Sequence, residues 1–323
     1  MKELLLTGTL KQSAYCLAMS EDRSRFAISS DQWVQILSFP EIQLLQKLPI
    51  RHICSMLFLK NSHTLLATST TGDLFLWDAA GMKRLGKWPT QFWREGSLFC
   101  CAPDCVALAY DDGVCLFHLH SGRFEEVYAC PGRQPWIAGC QDGKLHILTV
   151  AYRKRRQSFG YAVVDLQGNV RSQSYSDRKL NGLRFSRPVL LDGGTIALLS
   201  SASPQRLVPG GSALYTIDSS GHATEFRAVP KAYSCCPCDA AATLGRYLGF
   251  THSTPHNGVT LYDITDGSFV GQISDTALRC GDDITPPSCL LFLSEEEFLV
   301  GTWEGVFSYR IVPTTEEFGE ADC

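Results

Sequence analysis

Long apolar runs are missing from this chain. No stretch approaches the ~18 consecutive apolar residues that a membrane helix requires, and the opening Leu4-Leu5-Leu6 is cut short by Thr7 and Gly8. That start is too brief for a secretory leader, so the cytoplasm is the expected compartment. Helical patterning is missing as well: nowhere does apolar spacing at i, i+3, i+4 and i+7 persist between capping residues. No glycine-rich loop follows a strand and opens a helix, which leaves out the nucleotide-phosphate cradles. An excess of one charge is lacking too. With 29 Lys and Arg against 33 Asp and Glu, the net charge of -4 gives no general attraction to nucleic acid or an anionic membrane.

Cysteine runs the other way, at 14 residues. Without a leader these are expected to stay thiols. Cys16, Cys54, Cys100, Cys115 and Cys289 fall inside strand patterns, where a free thiol acts as a small buried hydrophobe.

What the chain does have is a repeat. An alternating apolar run ends in Asp or a small polar residue, and a glycine turn follows. Leu74-Phe75-Leu76-Trp77-Asp78 precedes Gly81, Val163-Val164-Asp165 precedes Gly168, and Tyr215-Thr216-Ile217-Asp218 precedes Gly221. Val259-Thr260-Leu261-Tyr262-Asp263 precedes Gly267, with looser copies at Ile36-Leu37-Ser38, Leu116-Phe117-His118 and Phe307-Ser308-Tyr309. Positions 38, 78, 118, 165, 218, 263 and 310 mark units 40 to 53 residues long. That is the length of a four-stranded propeller blade. An all-β, seven-bladed β-propeller is therefore expected, as a single domain over 1–312 with a polar tail at 313–323.

The last blade runs out of chain. Cys289–Leu293, Glu297–Thr302 and Val306–Ile311 supply three strands, and a polar segment follows Pro313. The missing outer strand stands at the other end, where Glu3-Leu4-Leu5-Leu6-Thr7-Gly8 has no partner in blade one. Pairing it with Val306–Ile311 closes the ring and covers two exposed sheet edges.

Within blade two, Leu66-Ala67-Thr68-Ser69-Thr70-Thr71-Gly72-Asp73-Leu74-Phe75-Leu76-Trp77-Asp78 resembles the segment joining the second and third strands of a WD-repeat propeller. Asn257-Gly258-Val259-Thr260-Leu261-Tyr262-Asp263 is a weaker match. Only blade two carries the signature dipeptide. The Gly-His pair that the family often sets before the first strand is not in that place; Gly221-His222 falls in a turn instead. The blades must then be held mainly by apolar packing. The resemblance implies a scaffold that binds other molecules and performs no chemistry.

Loop lengths point to one face. Turns between the first and second strands, and between the third and fourth, are minimal, as in Glu21-Asp22-Arg23 and Ser121-Gly122. Connections at the opposite, top face are longer, and loops longer than connectivity needs commonly carry function. Many of their residues are basic: Arg94, Arg153, Lys154, Arg155, Arg156, Arg178, Lys179, Arg184, Arg206, Lys231 and Arg279, against Glu95, Asp177, Asp282 and Asp283.

The densest cluster, Arg153-Lys154-Arg155-Arg156, suits an acidic or phosphorylated peptide and is equally compatible with a solvated loop tip. Phe92, Trp93 and Arg94 are interface-type residues, though Trp93 can equally fill the gap between two blades. The expected partner sites are Phe92, Trp93, Arg94, Arg153, Lys154, Arg155, Arg156, Arg178, Lys179 and Arg206, on a monomer that binds a protein segment. Nucleic acid is not expected, because aromatics for base stacking are sparse beside the basic run.

Chemistry has weaker footing. Cys235-Cys236-Pro237-Cys238 needs further ligands, such as Cys280, Cys289, His252 or His256, before it resembles a zinc site. Asp282 and Asp283 with His252 and His256 are the only top-loop set suited to metal-assisted hydrolysis at the channel mouth. That hydrolase is the alternative reading. Otherwise no cofactor, metal or catalytic residue is expected.

Overall fold

The computed structural model describes residues 2–60, 62–89, 98–153, 156–175, 184–201, 213–228, 237–243, 245–252, 258–274 and 287–313. These form seven antiparallel sheets arranged as a β-propeller. Blade one is Cys16–Met19, Arg25–Ser29, Val34–Ser38 and Leu44–Leu48, in sequence order from the inside outward. Blade two is Ile53–Phe58, Thr64–Ser69, Asp73–Asp78 and Lys83–Pro89; blade three is Leu98–Ala102, Cys105–Tyr110, Gly113–His118 and Arg123–Ala129. Blade four, Gln134–Gln141, Lys144–Arg153, Arg156–Asp165 and Val170–Tyr175, has the longest strands of the described residues. Blade five begins with two short pieces, Arg184–Phe185 and Val189–Leu190, both paired to Ile196–Ser201, then continues with Ala213–Ile217 and Ala223–Ala228. Blade six is Pro237–Thr243, Tyr247–His252, Gly258–Asp263 and Ser268–Ser274. Among the described residues the only helical turn is the 3-10 turn Asp192–Gly194.

Alternation along each strand decides which neighbouring blade a side chain meets. In Thr64–Ser69, Leu65 and Ala67 join the cluster shared with blade one, while Leu66 joins the cluster shared with blade three. Seven such clusters among the described residues correspond to the seven boundaries between blades. With both faces covered, the middle strands read as nearly continuous apolar runs, as in Val106-Ala107-Leu108-Ala109, all buried. The expectation of blades held by apolar packing is met. Trp77 fits the same picture: its Nε1 is buried with no hydrogen-bond partner among the described residues.

Closure follows the expected route. Lys2–Leu10 pairs antiparallel with Val306–Pro313, from Lys2↔Pro313 to Leu10↔Val306, and completes blade seven with Pro287–Phe292 and Glu297–Thr302. Leu4 packs where Gly271 of blade six lacks a side chain; a Cβ there would sit 2.9 Å from Leu4 Cγ. Blade seven is joined to blade one by the Ala14 amide, which donates to the Thr302 carbonyl at 2.7 Å. Every pairing of a third strand with an outer strand contains one register shift, for example between Leu76 and Trp77 or Leu6 and Gly8. An extra residue there raises the local twist, which splays the outer part of each blade.

The glycine turns differ from the expected pattern in one place. In blade two the left-handed residue is Met82, at φ +56°, and not Gly81. Gly81 is required for another reason: a Cβ there would lie 2.5 Å from Asp78 Oδ2, the carboxylate that the turn folds around.

Candidate functional site

The bottom face is built from turns whose polar groups satisfy one another. Asp78 Oδ1 accepts from the amides of Ala80 and Gly81, both at 2.9 Å. Asp165, Asp218 and Asp263 accept in the same way from Asn169 at 2.8 Å, His222 at 3.0 Å and Thr265 at 3.1 Å. Backbone donation from Gly81 and Ala80 holds the Asp78 carboxyl below its usual range. Burial alone would raise Asp165 and Asp263, but hydrogen bonds from Asn169 and from Thr265 outweigh it and lower both. These carboxylates are occupied by their own turns and by neighbouring cations.

Two bottom-face groups tie blades together. Asp22 of blade one lies 2.8 Å from His63 Nε2 of blade two, and Arg25 donates to His63 Nδ1 at 3.3 Å and to the Ala79 carbonyl at 2.7 Å. Lys2 of the closing strand donates to Tyr247 Oη at 2.5 Å and to Asp263 Oδ2 at 3.3 Å. Its ammonium also lies 4.6 Å from the Tyr247 ring centroid. Burial opposes the Lys2 charge, but the bonds to Tyr247 and Asp263 raise its pKa on balance.

The top face presents aromatic side chains. Val34–Ser38 starts just after Trp33 and leaves it in the preceding turn. The Ser30 amide and hydroxyl both donate to the Trp33 carbonyl, at 2.8 and 3.1 Å, which fixes that turn. Trp33 is 38% exposed and Trp303 is 53% exposed. Trp303 rides a turn folded around Thr302, whose Oγ1 accepts from the Glu304 and Gly305 amides at 3.1 and 3.0 Å. Across the joint between blades seven and one, the Trp303 and Tyr15 rings lie 6.1 Å apart at 53°. Burial, followed by the bond to the Asp31 carboxylate, pushes the Tyr15 phenol up. Arg51 and His52 are exposed on the next top connection. The sequence reading passed over Trp33 and Trp303. Their signal was an aromatic residue two positions from Asp or Gly where strand alternation stops.

Blade four contributes a projecting hairpin. Lys144–Arg153 pairs with Arg156–Asp165 as far as Arg153↔Arg156, whereas the flanking strands stop pairing at Val150 and Gly160. Arg153 and Arg156 therefore fall at the end of a regular hairpin. At its base, Arg133 donates from Nε to Thr149 Oγ1 at 2.9 Å and from Nη2 to the Ser158 carbonyl at 2.9 Å. It holds both strands of the hairpin together.

Of the expected partner sites, Arg153 and Arg156 have their backbone in this hairpin. Phe92, Trp93, Arg94, Lys154, Arg155, Arg178, Lys179 and Arg206 lie outside the described residues, as do Asp282, Asp283, His256, Cys235, Cys236 and Cys280. Among the described residues, no group of three or more His, Cys, Asp and Glu side chains is placed to hold a metal ion. No described helix is long and apolar enough to cross a membrane.

Comparison with solved structures shows the fold. The chain is similar to the β-propeller domain of Cps50 (Swd1) from Myceliophteria thermophila, with a TM-score of 0.70 and 12% identity over 95% of this chain and 99% of that one. It is also similar to hydrazine synthase from Kuenenia stuttgartiensis, with a TM-score of 0.73 and 12% identity over 94% and 97% of the respective chains. No protein-family model matches the chain, and no curated protein matches it by sequence. At such identity the likeness extends to the propeller and no further.

Proposed function

We propose that the protein is a non-catalytic interaction scaffold whose top face binds an acidic or phosphorylated segment of a partner protein. The observation that carries this reading is the pair of exposed indoles, Trp33 and Trp303, held in hydrogen-bonded turns on the face that also bears the blade-four hairpin. Tryptophan and arginine are the residue types most often found as energetic anchors at protein interfaces. Elsewhere in the ring large apolar side chains are mostly buried between blades. Two indoles exposed on one face, each carried on a hydrogen-bonded turn, present contact area on backbone that is already ordered before binding. Arg153, Lys154, Arg155 and Arg156 supply the complementary charge, steering an anionic segment toward the face and pairing with its carboxylates or phosphates. A role in nucleic-acid binding is less well supported, since the net charge of -4 gives no general attraction to a polyanion.

The test is fluorescence anisotropy with a panel of labelled acidic, phosphorylated and neutral peptides. Two variants are compared with the native protein: Trp33→Ala with Trp303→Ala, and Arg153, Lys154, Arg155 and Arg156 all changed to Ser. Binding of anionic peptides that weakens in both variants and falls with salt is the expected result. Failure of the whole panel to bind, or equal binding by all three proteins, sinks the reading.

A further inference from the structure

Away from the aromatic surface, two thiols meet across the boundary between blades three and four. Cys101 lies near the end of Leu98–Ala102, and Cys140 near the end of Gln134–Gln141. Both strands are the innermost of their blades and pack directly against each other. Both side chains pack against the apolar cluster that joins the blades, where the Cys101 thiol donates to the Phe99 carbonyl at 3.4 Å and each sulfur feels the other. Cys101 also falls at a register shift: pairing runs from Cys100↔Val106 to Ala102↔Cys105 and leaves it out of the ladder. Such a bulge residue is less constrained by strand pairing than its neighbours.

These two cysteines differ from most of the other described cysteines. Cys54, Cys105, Cys115, Cys130 and Cys289 are buried, whereas Cys101 and Cys140 are half-buried. Burial pushes the Cys105 and Cys130 thiols up to about 11, which keeps them protonated and unreactive. Cys140 goes the other way. The neighbouring Cys101 thiol stabilises its thiolate, burial opposes this, and the Lys60 ammonium adds to the stabilisation, so its pKa is lowered. Cys101 is raised by the Cys140 sulfur in turn.

We propose that Cys101 and Cys140 form a reversible disulfide between blades three and four on exposure to a small-molecule disulfide such as oxidised glutathione. The Cys140 thiolate attacks one sulfur of the oxidant, breaking its S–S bond and releasing one glutathione thiolate. Cys101 then gives up its proton and attacks the Cys140 sulfur, breaking the mixed disulfide and releasing the second glutathione. Two protein thiols are oxidised and one glutathione disulfide is reduced to two thiols. The new bond links two innermost strands and adds a covalent tie to a joint otherwise held by packing. This inference does not rest on the interaction reading.

The experiment is peptide mapping of the folded protein after incubation with oxidised glutathione, with remaining thiols blocked by alkylation. A cross-linked peptide joining Cys101 to Cys140, removed by dithiothreitol, is the expected product. A rise of roughly 5 °C in melting midpoint should accompany it. Cys101→Ser should stop at one glutathione on Cys140, because the second attack is lost, while Cys140→Ser should leave Cys101 unmodified. Full alkylation of both residues in the treated native protein overturns the proposal. So does a disulfide that joins either of them to Cys100 or Cys105. Mapping the native protein decides the matter even if a variant does not fold.

Discussion

On the bottom face, Asp78, Asp165 and Asp263 end third strands, Asp218 directly follows one, and all four bind the amides of their own turns. On the top face, Trp33 and Trp303 also stand in hydrogen-bonded turns, but there the turn satisfies its own backbone and leaves the side chain outside. The same local device, a Ser, Thr or Asp oxygen folding three or four residues around itself, serves cohesion at one end of the ring and presentation at the other. Bottom-face changes should therefore lower stability and spare binding. Top-face changes should do the reverse.

The largest expected effect comes from removing the closing strand. Without residues 2–10, Val306–Pro313 becomes an exposed edge, Leu4 leaves its place against Gly271, and Lys2 no longer reaches Tyr247 and Asp263. Loss of soluble, folded protein is expected in size-exclusion chromatography and circular dichroism. A truncated chain that melts like the native one would show that the ring does not depend on its clasp.

Next in size is a contrast within one pair of substitutions. Leu65 is wholly buried between blades one and two, and Leu65→Ala should cost about 2–5 kcal/mol in denaturant unfolding. Trp303→Ala removes a larger side chain, yet one that is 53% exposed, and should change stability by only about 0.5 kcal/mol. If Trp303→Ala cost as much as Leu65→Ala, the indole would be part of the packing and the division between the faces would fail.

A smaller effect is expected at the bottom turns. Asp78→Asn keeps the shape of the side chain but removes the charge that the Gly81 and Ala80 amides favour. A modest fall in melting midpoint is expected, with peptide binding unchanged. Any loss of peptide binding in this variant would mean that the two faces are coupled.

The ring was legible in the sequence because period-two alternation and a repeating turn are written directly in residue order. Ser38, Asp78 and His118 stand 40 residues apart, and each ends a third strand in the structure. The closing strand was legible by subtraction, as an apolar segment at one end matched a gap at the other. Contacts that depend on the angle between blades were not. Nothing in sequence spacing brings His63 to Asp22, or Cys101 to Cys140, because those pairs are set by how neighbouring sheets stack. Trp33 stands one residue before Val34–Ser38, and at a strand end one residue is the difference between a packed side chain and an exposed one. Met82 shows the same limit at a turn. It takes the left-handed backbone, while the glycine that the pattern marks precedes it.

The smallest effect sits between blades four and five and concerns pH. Tyr161 donates its hydroxyl to the Gly194 carbonyl at 2.7 Å, so it accepts from His146 Nδ1–H at 2.5 Å. His146 is buried there as a neutral ring. Desolvation, reinforced by Lys144 and partly offset by Asp142, lowers its pKa below the usual histidine value. A chain with this residue unfolded takes up its proton near pH 6.5, while the folded chain resists it. Below that pH the unfolded state binds more protons at this site, so the stability it supplies is complete above about pH 6.5 and declines as the solution is acidified. The melting midpoint of the native protein should thus fall between about pH 7.5 and pH 5.5 more steeply than that of a His146→Gln variant. Equal slopes for the two proteins would mean that the ring is already accessible to protons, and that the joint between blades four and five is looser than its packing implies.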